Sequence, residues 1–168
     1  TAFIEILNPT ASLVIFGAGN DVVPLVQMAQ VLGWQTTVAD ARPAQTGYKN
    51  FESIFQVPIS NPGKILEKIE ADDYTFFLLM THNFNYDKSM LKQLLPQQVR
   101  YIGMLGPEKK KQRILQELRE EGMAFSQEQL ACLHSPAGLD IGSETPEEIA
   151  LSILAEIKAA LAAIQQPV

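Results

Sequence analysis

The sequence contains few cysteines and histidines, and it has no excess of positive charge. Each of these features excludes a class of protein. Cys132 is the only cysteine among 168 residues, so no disulfide can form within the chain, which fits a reducing compartment. One cysteine and two histidines do not complete a zinc site without help from carboxylates or a partner chain. The formal net charge of −6 gives nucleic-acid binding no electrostatic support.

Long hydrophobic runs are also missing from the sequence. No apolar stretch approaches the length of a membrane span, and the N-terminus shows no signal-peptide pattern. We therefore expect a cytoplasmic protein without membrane or nucleic-acid partners. The hydrophobic content of 46% is enough to bury a sizeable core, and the length suits one domain.

A stretch near the N-terminus predicts a buried strand, a glycine turn and the start of a helix. Leu13 to Phe16 are all apolar, as in a strand that is buried on both faces, and the glycines that follow let the backbone approach a ligand closely. The N–H groups at the start of the following helix are suited to phosphate. The candidate phosphate-binding residues are Gly17, Ala18, Gly19, Asn20 and Asp21.

The next apolar segment ends in Asp40, at about the distance where the dinucleotide fingerprint places its ribose-binding carboxylate. Arg42 could lie beside an adenosine ribose or accept a 2′-phosphate, and a solvated loop arginine is the alternative. Val22 stands where the fingerprint has a third glycine, whose role is helix–strand packing. A turn without a ligand therefore remains an alternative interpretation.

Strand-like and helix-like segments alternate along the rest of the chain. The predicted strands are 35–40, 53–57, 75–80 and 99–105, and the predicted helices are 20–32, 62–70, 86–95, 107–121, 126–130 and 146–164. Ser126 with Gln129, and Thr145 with Glu148, are predicted capping boxes. Residues 133–142 are too rich in glycine and proline for a regular element, although their leucines and isoleucine are expected to be buried. The alternation predicts an α/β fold, a Rossmann-like doubly wound, mostly parallel sheet with helices on both faces.

Residues just past the carboxyl ends of parallel strands face the ligand crevice of such a sheet. Thr81 and His82 follow one predicted strand, and Gly103 and Gly106 mark the exit of the next, so these four residues join the candidate site. Capping of a helix or loop is the alternative role for His82.

Four basic residues occupy the first turns of the helix predicted at 107–121. Positive charge at that end opposes the helix dipole, so an anion in the crevice would explain it, whereas a solvated basic face is the more common case. These residues are Lys109, Lys110, Lys111 and Arg113.

Five segments together resemble the C-terminal Rossmann domain of the XdhC/CoxI family, the accessory proteins of xanthine dehydrogenase and related molybdenum hydroxylases. They are residues 13–21 (LVIFGAGND), 38–43 (VADARP), 80–87 (MTHNFNYD), 101–106 (YIGMLG) and 134–153 (HSPAGLDIGSETPEEIALSI). The last segment is the most specific, because ordinary dehydrogenases have no counterpart to it. The resemblance spans nearly the whole chain, so we expect residues 1–168 to form a single Rossmann domain without the family's usual N-terminal domain.

The resemblance implies a non-catalytic accessory or chaperone role in the maturation of a molybdenum hydroxylase. Family members are described as binding molybdenum cofactor, assisting its sulfuration with a cysteine desulfurase and passing it to the apo-enzyme. The crevice would then hold a nucleotide or the phosphate tail of the pterin. An NAD(P)-dependent oxidoreductase and a nucleotide-sensing module remain alternatives, although no proton-transfer pair stands out in the sequence.

A homodimer is also expected. The apolar segment Phe3–Leu7 could pair with another chain, and the C-terminal helix is rich in small residues. Light scattering would test this expectation.

We predict that Asp40→Ala weakens the binding of any dinucleotide, because the carboxylate is expected to contact the ribose. Titration of the variant with NAD, NADP and ATP checks the prediction. An unchanged dissociation constant would show that Asp40 does not contact the ribose.

Overall fold

The computed structural model describes residues 9–40, 55–58 and 66–165, and within them the chain forms one six-stranded sheet. The strands are β1 (Ser12–Phe16), β2 (Gln35–Asp40), β3 (Phe55–Pro58), β4 (Thr75–Leu79), β5 (Ile102–Met104) and β6 (Leu133–His134). They lie in the order β3-β2-β1-β4-β5-β6, and every neighbouring pair is parallel. This order is that of the doubly wound Rossmann sheet, and it confirms the predicted fold class.

Helices cover both faces of the sheet because alternate residues of its central strands point to opposite sides. The helices are α1 (Val22–Val31), α2 (Phe84–Leu94), α3 (Glu108–Glu120), α4 (Gln127–Ala131) and α5 (Pro146–Gln165). Leu13 and Ile15 of β1 belong to a core that contains α1 and α5, whereas Val14 and Phe16 belong to a second core with α2 and α3. None of the helices in the described ranges is long and apolar enough to cross a membrane.

Local sequence signals set several helix ends as predicted. The Ser126 and Gln129 side chains bond each other's backbone N–H groups, which completes the capping box of α4. Thr145 and Glu148 do the same at the start of α5. Helix α2 begins earlier than predicted, because the Asn83 side chain accepts the Tyr86 N–H and caps it.

Two predictions about elements were wrong. In the described part of the segment predicted as a helix at 62–70, the chain forms only a short 3₁₀ turn at Leu66–Lys68. Within 133–142, Leu133 and His134 form an edge strand, because they pair in register with Ile102 and Gly103. The segment therefore contains a regular element where none was expected.

The prediction that the leucines and the isoleucine of residues 133–142 are buried holds for one of the three residues. Leu133 is buried, but Leu139 and Ile141 are 43% and 55% exposed. Both residues belong to the irregular loop that precedes α5, so the prediction that they are buried was wrong. Phe3–Leu7 and Arg42 lie outside the described residues, so their predicted roles stay predictions.

Gly103 provides a test of how tightly β4 and β5 pack. A Cβ at this position would lie 2.6 Å from Leu78 Cδ2 and 3.0 Å from Tyr101 Cε1. Gly103→Ala should therefore lower the free energy of unfolding by about 1–3 kcal/mol through overpacking. Leu78→Val removes the δ carbon, so the same substitution should cost clearly less in that background. Denaturant unfolding of the four proteins measures the coupling, and equal costs in both backgrounds would contradict the steric explanation.

Candidate nucleotide-binding crevice

The exits of β1 and β4 form the centre of the candidate site. These strands are neighbours, but α1 follows β1 on one face of the sheet and α2 follows β4 on the other. Ligands of open α/β sheets bind where the connections diverge in this way. The Met80 N–H donates to the Phe16 carbonyl at 2.8 Å, so the two exits lie against each other.

The glycine loop is held close to the exit of β4. Gly17 has φ +114°, a conformation that side-chain-bearing residues rarely adopt. A Cβ at Gly17 would also collide with the Met80 carbonyl oxygen. Both constraints require glycine, and together they fix the path of the loop over the end of the sheet.

Asp40 anchors the same loop from the exit of β2. Its carboxylate is almost fully buried, and Oδ2 accepts the Ala18 N–H at 2.7 Å. A charge-assisted bond of this kind is stronger than a neutral one. The structure thus gives Asp40 a role in the loop itself, and ribose contact stays a prediction. Asp40→Asn should accompany Asp40→Ala in any binding test, because an asparagine oxygen can still accept the Ala18 N–H.

Three backbone donors at the loop remain for a ligand. Val22 and Val23 donate to carbonyls of the turn that starts α1. The N–H groups of Gly19, Asn20 and Asp21 have no acceptor among the described residues. Successive free N–H groups at the start of a helix suit a phosphate, so the geometry of the loop is compatible with the phosphate that the sequence predicts there.

The Asp21 and His82 side chains contact each other across the crevice. His82 Nε2 lies 2.9 Å from Asp21 Oδ2, which links the exit of β4 to the start of α1. His82 adopts a left-handed φ of +54°, which is uncommon for a residue other than glycine. The Asp21 carboxylate suits the positive end of α1 but opposes a bound phosphate, and the contact with His82 fixes its position.

Asp87 joins four elements beneath the crevice. The Thr81 hydroxyl donates to Asp87 Oδ1 at 2.6 Å, and the Lys110 ammonium lies 2.5 Å from Oδ2. Lys110 also donates to the Leu105 carbonyl at 3.2 Å. Asp87 is fully buried, so its charge depends on these partners. Asp87 ends the family-like segment 80–87, but the sequence does not predict its partner, which lies 23 positions away in α3.

Two more basic side chains of α3 have partners within the protein. Lys111 pairs with Glu108 at 2.8 Å, and Arg113 pairs with Glu117 at 3.2 Å. Arg113 also lies over the Phe84 ring, 4.7 Å from its centroid. With the Lys110–Asp87 contact, they account for three of the four basic residues without an anion, and the fourth, Lys109, is exposed.

The two glycines predicted at the exit of β5 lie in different surroundings. Gly103 is buried inside β5, where packing against Leu78 and Tyr101 explains the absence of a side chain. Gly106 lies past the strand with φ +118°, and the Lys110 side chain passes over it.

A second polar cluster surrounds Glu156 of α5. Glu156 Oε2 accepts the Tyr101 hydroxyl at 2.6 Å and the Gly138 N–H at 2.8 Å, and Oε1 lies 3.0 Å from His134 Nδ1. The Tyr101 and His134 rings stack with their centroids 4.5 Å apart. Burial, and then the bond to Glu156, raise the pKa of Tyr101. Sequence analysis missed this cluster, because its members lie up to 55 residues apart.

A cleft of about 620 Å³ opens beside this cluster, between the exit of β5 and the start of α5. The residues that line it are Leu105, Pro136, Ala137, Gly138, Leu139, Asp140, Ile141, Gly142, Ser143, Ile149 and Ser152. Most of them belong to the segment 136–143, for which sequence reasoning predicted no function.

Cys132 and the metal-ligating residues offer no further centre. Cys132 is buried, and its burial raises the pKa of the thiol. Across residues 9–40, 55–58 and 66–165, no three His, Cys, Asp or Glu side chains lie close enough together to hold a metal ion.

The strand order and the glycine loop define a Rossmann domain. A family model, the XdhC Rossmann domain, matches residues 13–157. The chain belongs to this family, as the resemblance predicted.

Known relatives agree with that assignment. The chain is 33% identical over 155 residues to a Bacillus subtilis (strain 168) protein named as a probable subunit of xanthine dehydrogenase, covering 92% of this chain and 44% of the relative. It is 35% identical over 158 residues to the uncharacterized protein YqeB of Escherichia coli (strain K12), covering 94% and 28%.

A solved structure shows the same fold. The crystal structure of a xanthine dehydrogenase from Bacillus halodurans aligns with a TM-score of 0.80 and 37% identity, over 94% of this chain and 44% of that chain. The chain therefore spans less than half the length of these relatives.

The Asp87–Lys110 pair generates a stability prediction. Lys110→Met strands a fully buried carboxylate, so it should lower the free energy of unfolding by about 3–5 kcal/mol. Asp87→Asn should cost less, about 2 kcal/mol, because Lys110 is partly exposed and the amide oxygen still accepts the Thr81 hydroxyl. Urea unfolding measures both variants, and the reverse order would show that the charge of Asp87 is not held by Lys110.

Proposed function

We propose that this domain binds the phosphate-bearing end of a nucleotide-like cofactor, as an accessory domain in the maturation of a xanthine dehydrogenase-type molybdenum hydroxylase. Membership of the XdhC Rossmann domain family, over residues 13–157, is the observation that carries this proposal. The three free N–H groups at the start of α1 support the phosphate contact.

The side chains of the crevice position one another. His82 is paired with Asp21, and both Thr81 and Lys110 are bound to Asp87. These contacts hold the loop and the strand exits in place, which is what a binding domain requires.

Molybdenum cofactor is the ligand that we propose, with a molybdenum hydroxylase as its recipient. Its phosphate tail would lie at Gly19, Asn20 and Asp21. A cysteine desulfurase is the proposed sulfur source. The buried Cys132, whose pKa is raised, is a poor sulfur carrier, so persulfide chemistry in this proposal belongs to a partner.

Asp40 gives specific support to a second ligand, NAD(P). The carboxylate lies at the exit of β2 and contacts the glycine loop, the position of the ribose-binding acid in dinucleotide domains. NAD would then act as a bound regulator of a sensing module or as the cofactor of an oxidoreductase. The phosphate contacts at the loop are common to both ligands.

Asn20→Asp tests the phosphate site. The Asn20 side chain is exposed, so the substitution adds a negative charge beside the free N–H groups without disturbing the core. We expect roughly tenfold weaker binding of molybdopterin, NAD and ADP, the size of effect that one nearby like charge produces. Isothermal titration calorimetry measures the dissociation constants.

Asn20→Gln is the matched control, because it changes the side chain without adding charge, and it should bind like the wild type. Equal binding of phosphate ligands to Asn20→Asp would place the phosphate elsewhere. If neither molybdopterin nor NAD binds the chain, alone or with its hydroxylase, the proposed function is wrong.

A further inference from the structure

We infer that the cleft beside segment 136–143 binds the ring end of the same ligand, and that it selects a neutral planar heterocycle with adjacent N–H donors. This inference deepens the proposed function and rests on it, since it assigns the second end of the ligand. Binding of the ring does not depend on the glycine loop, so the two ideas can fail separately.

The size and walls of the cleft suit an aromatic ring. Its volume of about 620 Å³ falls within the range of roughly 300–1,000 Å³ that is typical of small-molecule sites. Leu105 and Ile149 are partly buried walls, whereas Leu139 and Ile141 expose about half of their surface at the rim. A ring in the cleft would remove this apolar surface from water.

The cleft and the glycine loop offer different polar groups to a ligand. Among the described residues that line it, none is lysine, arginine or histidine, and Asp140 is the charged one. An anion would meet a carboxylate there and no countercharge, whereas the loop offers free N–H donors. A ligand with a phosphate at one end and an uncharged ring at the other matches both places.

Asp140 is presented at the tip of a tight turn. The Ile141 N–H donates to the Leu139 carbonyl at 3.0 Å, which closes a three-residue turn with Asp140 at its centre. An exposed carboxylate has two oxygens that accept parallel N–H bonds. The 2-aminopyrimidinone edge of a pterin or a guanine supplies two such donors, and adenine does not.

The cleft is formed before any ligand binds, because its floor is fixed to α5 and to the sheet. Gly138 has φ +100°, and a Cβ there would collide with Ser152 Oγ. The Gly138 N–H is held by Glu156, and the Leu139 N–H donates to the Ser152 carbonyl at 3.2 Å. The Ala137 N–H continues the sheet by donating to Met104. A rigid floor lowers the entropic cost of binding.

One ligand can reach both places. Only β4 lies between β1 and β5, so the exits of these two strands are two strand spacings apart, a distance of roughly 10 Å. The Leu105 N–H donates to Leu79, so the lining of the cleft begins directly beside the exit of β4. A phosphate linker spans such a distance.

Ring fragments without phosphate test the inference on the folded chain. We expect pterin and guanosine to bind, and adenosine to bind at least tenfold more weakly, by calorimetry and saturation-transfer NMR. Asp140→Asn should weaken the binding of pterin at least tenfold. Glu144→Gln is the matched control, an acid-to-amide change on the same loop but outside the cleft, and it should leave pterin binding unchanged.

The outcomes separate the ring site from the phosphate site. Pterin binding that survives Asn20→Asp but is lost in Asp140→Asn supports the inference. The inference is overturned if neither pterin nor guanosine binds, even if ADP still binds the loop. It is also overturned if pterin binds equally well to the wild type and to an Asp140→Asn variant of unchanged stability. Tighter binding of adenosine than of pterin also overturns it. Pterin binding without ADP binding supports the ring site and contradicts the phosphate site.

Discussion

The close approach of the Gly17 backbone to the Met80 carbonyl is the constraint on which the candidate site depends. Any side chain at position 17 would separate the exits of β1 and β4. With glycine there, the loop turns over the end of the sheet, and the Ala18 N–H reaches the Asp40 carboxylate. The free N–H groups of α1 and the His82 side chain then face the same crevice. Steric exclusion at one backbone position thus creates the site.

Three buried or half-buried carboxylates fix the crevice and the cleft from different elements. Asp40 holds the glycine loop, Asp87 holds Thr81 and Lys110, and Glu156 holds Tyr101 together with the segment after β6. A carboxylate out of water needs several donors, and here the donors come from separate strands and helices. Each carboxylate therefore adds polar contacts between segments at the strand exits, which hydrophobic packing does not provide.

The two ends of the candidate site differ in polarity. The loop at β1 offers backbone donors at the positive end of a helix, and the cleft beyond β5 offers apolar walls with one carboxylate. In the binding mode that we propose, this difference orients an extended ligand, because each end of the ligand matches one place and is disfavoured at the other. The proposed binding mode uses no basic side chain of α3, and Lys110, Lys111 and Arg113 are paired with Asp87, Glu108 and Glu117.

The sequence by itself determined the alternation of strands and helices, the glycine loop, the capping boxes and the family, because each of these is encoded within a few adjacent residues. Tertiary structure alone decided that Lys110 meets Asp87 and that Glu156 gathers Tyr101 and His134, because such partners depend on strand register and on which helices share a face. It also left Leu139 and Ile141 half exposed. Apolar character indicates a preference for burial, but only the path of the neighbouring backbone decides whether the core has room for the side chain.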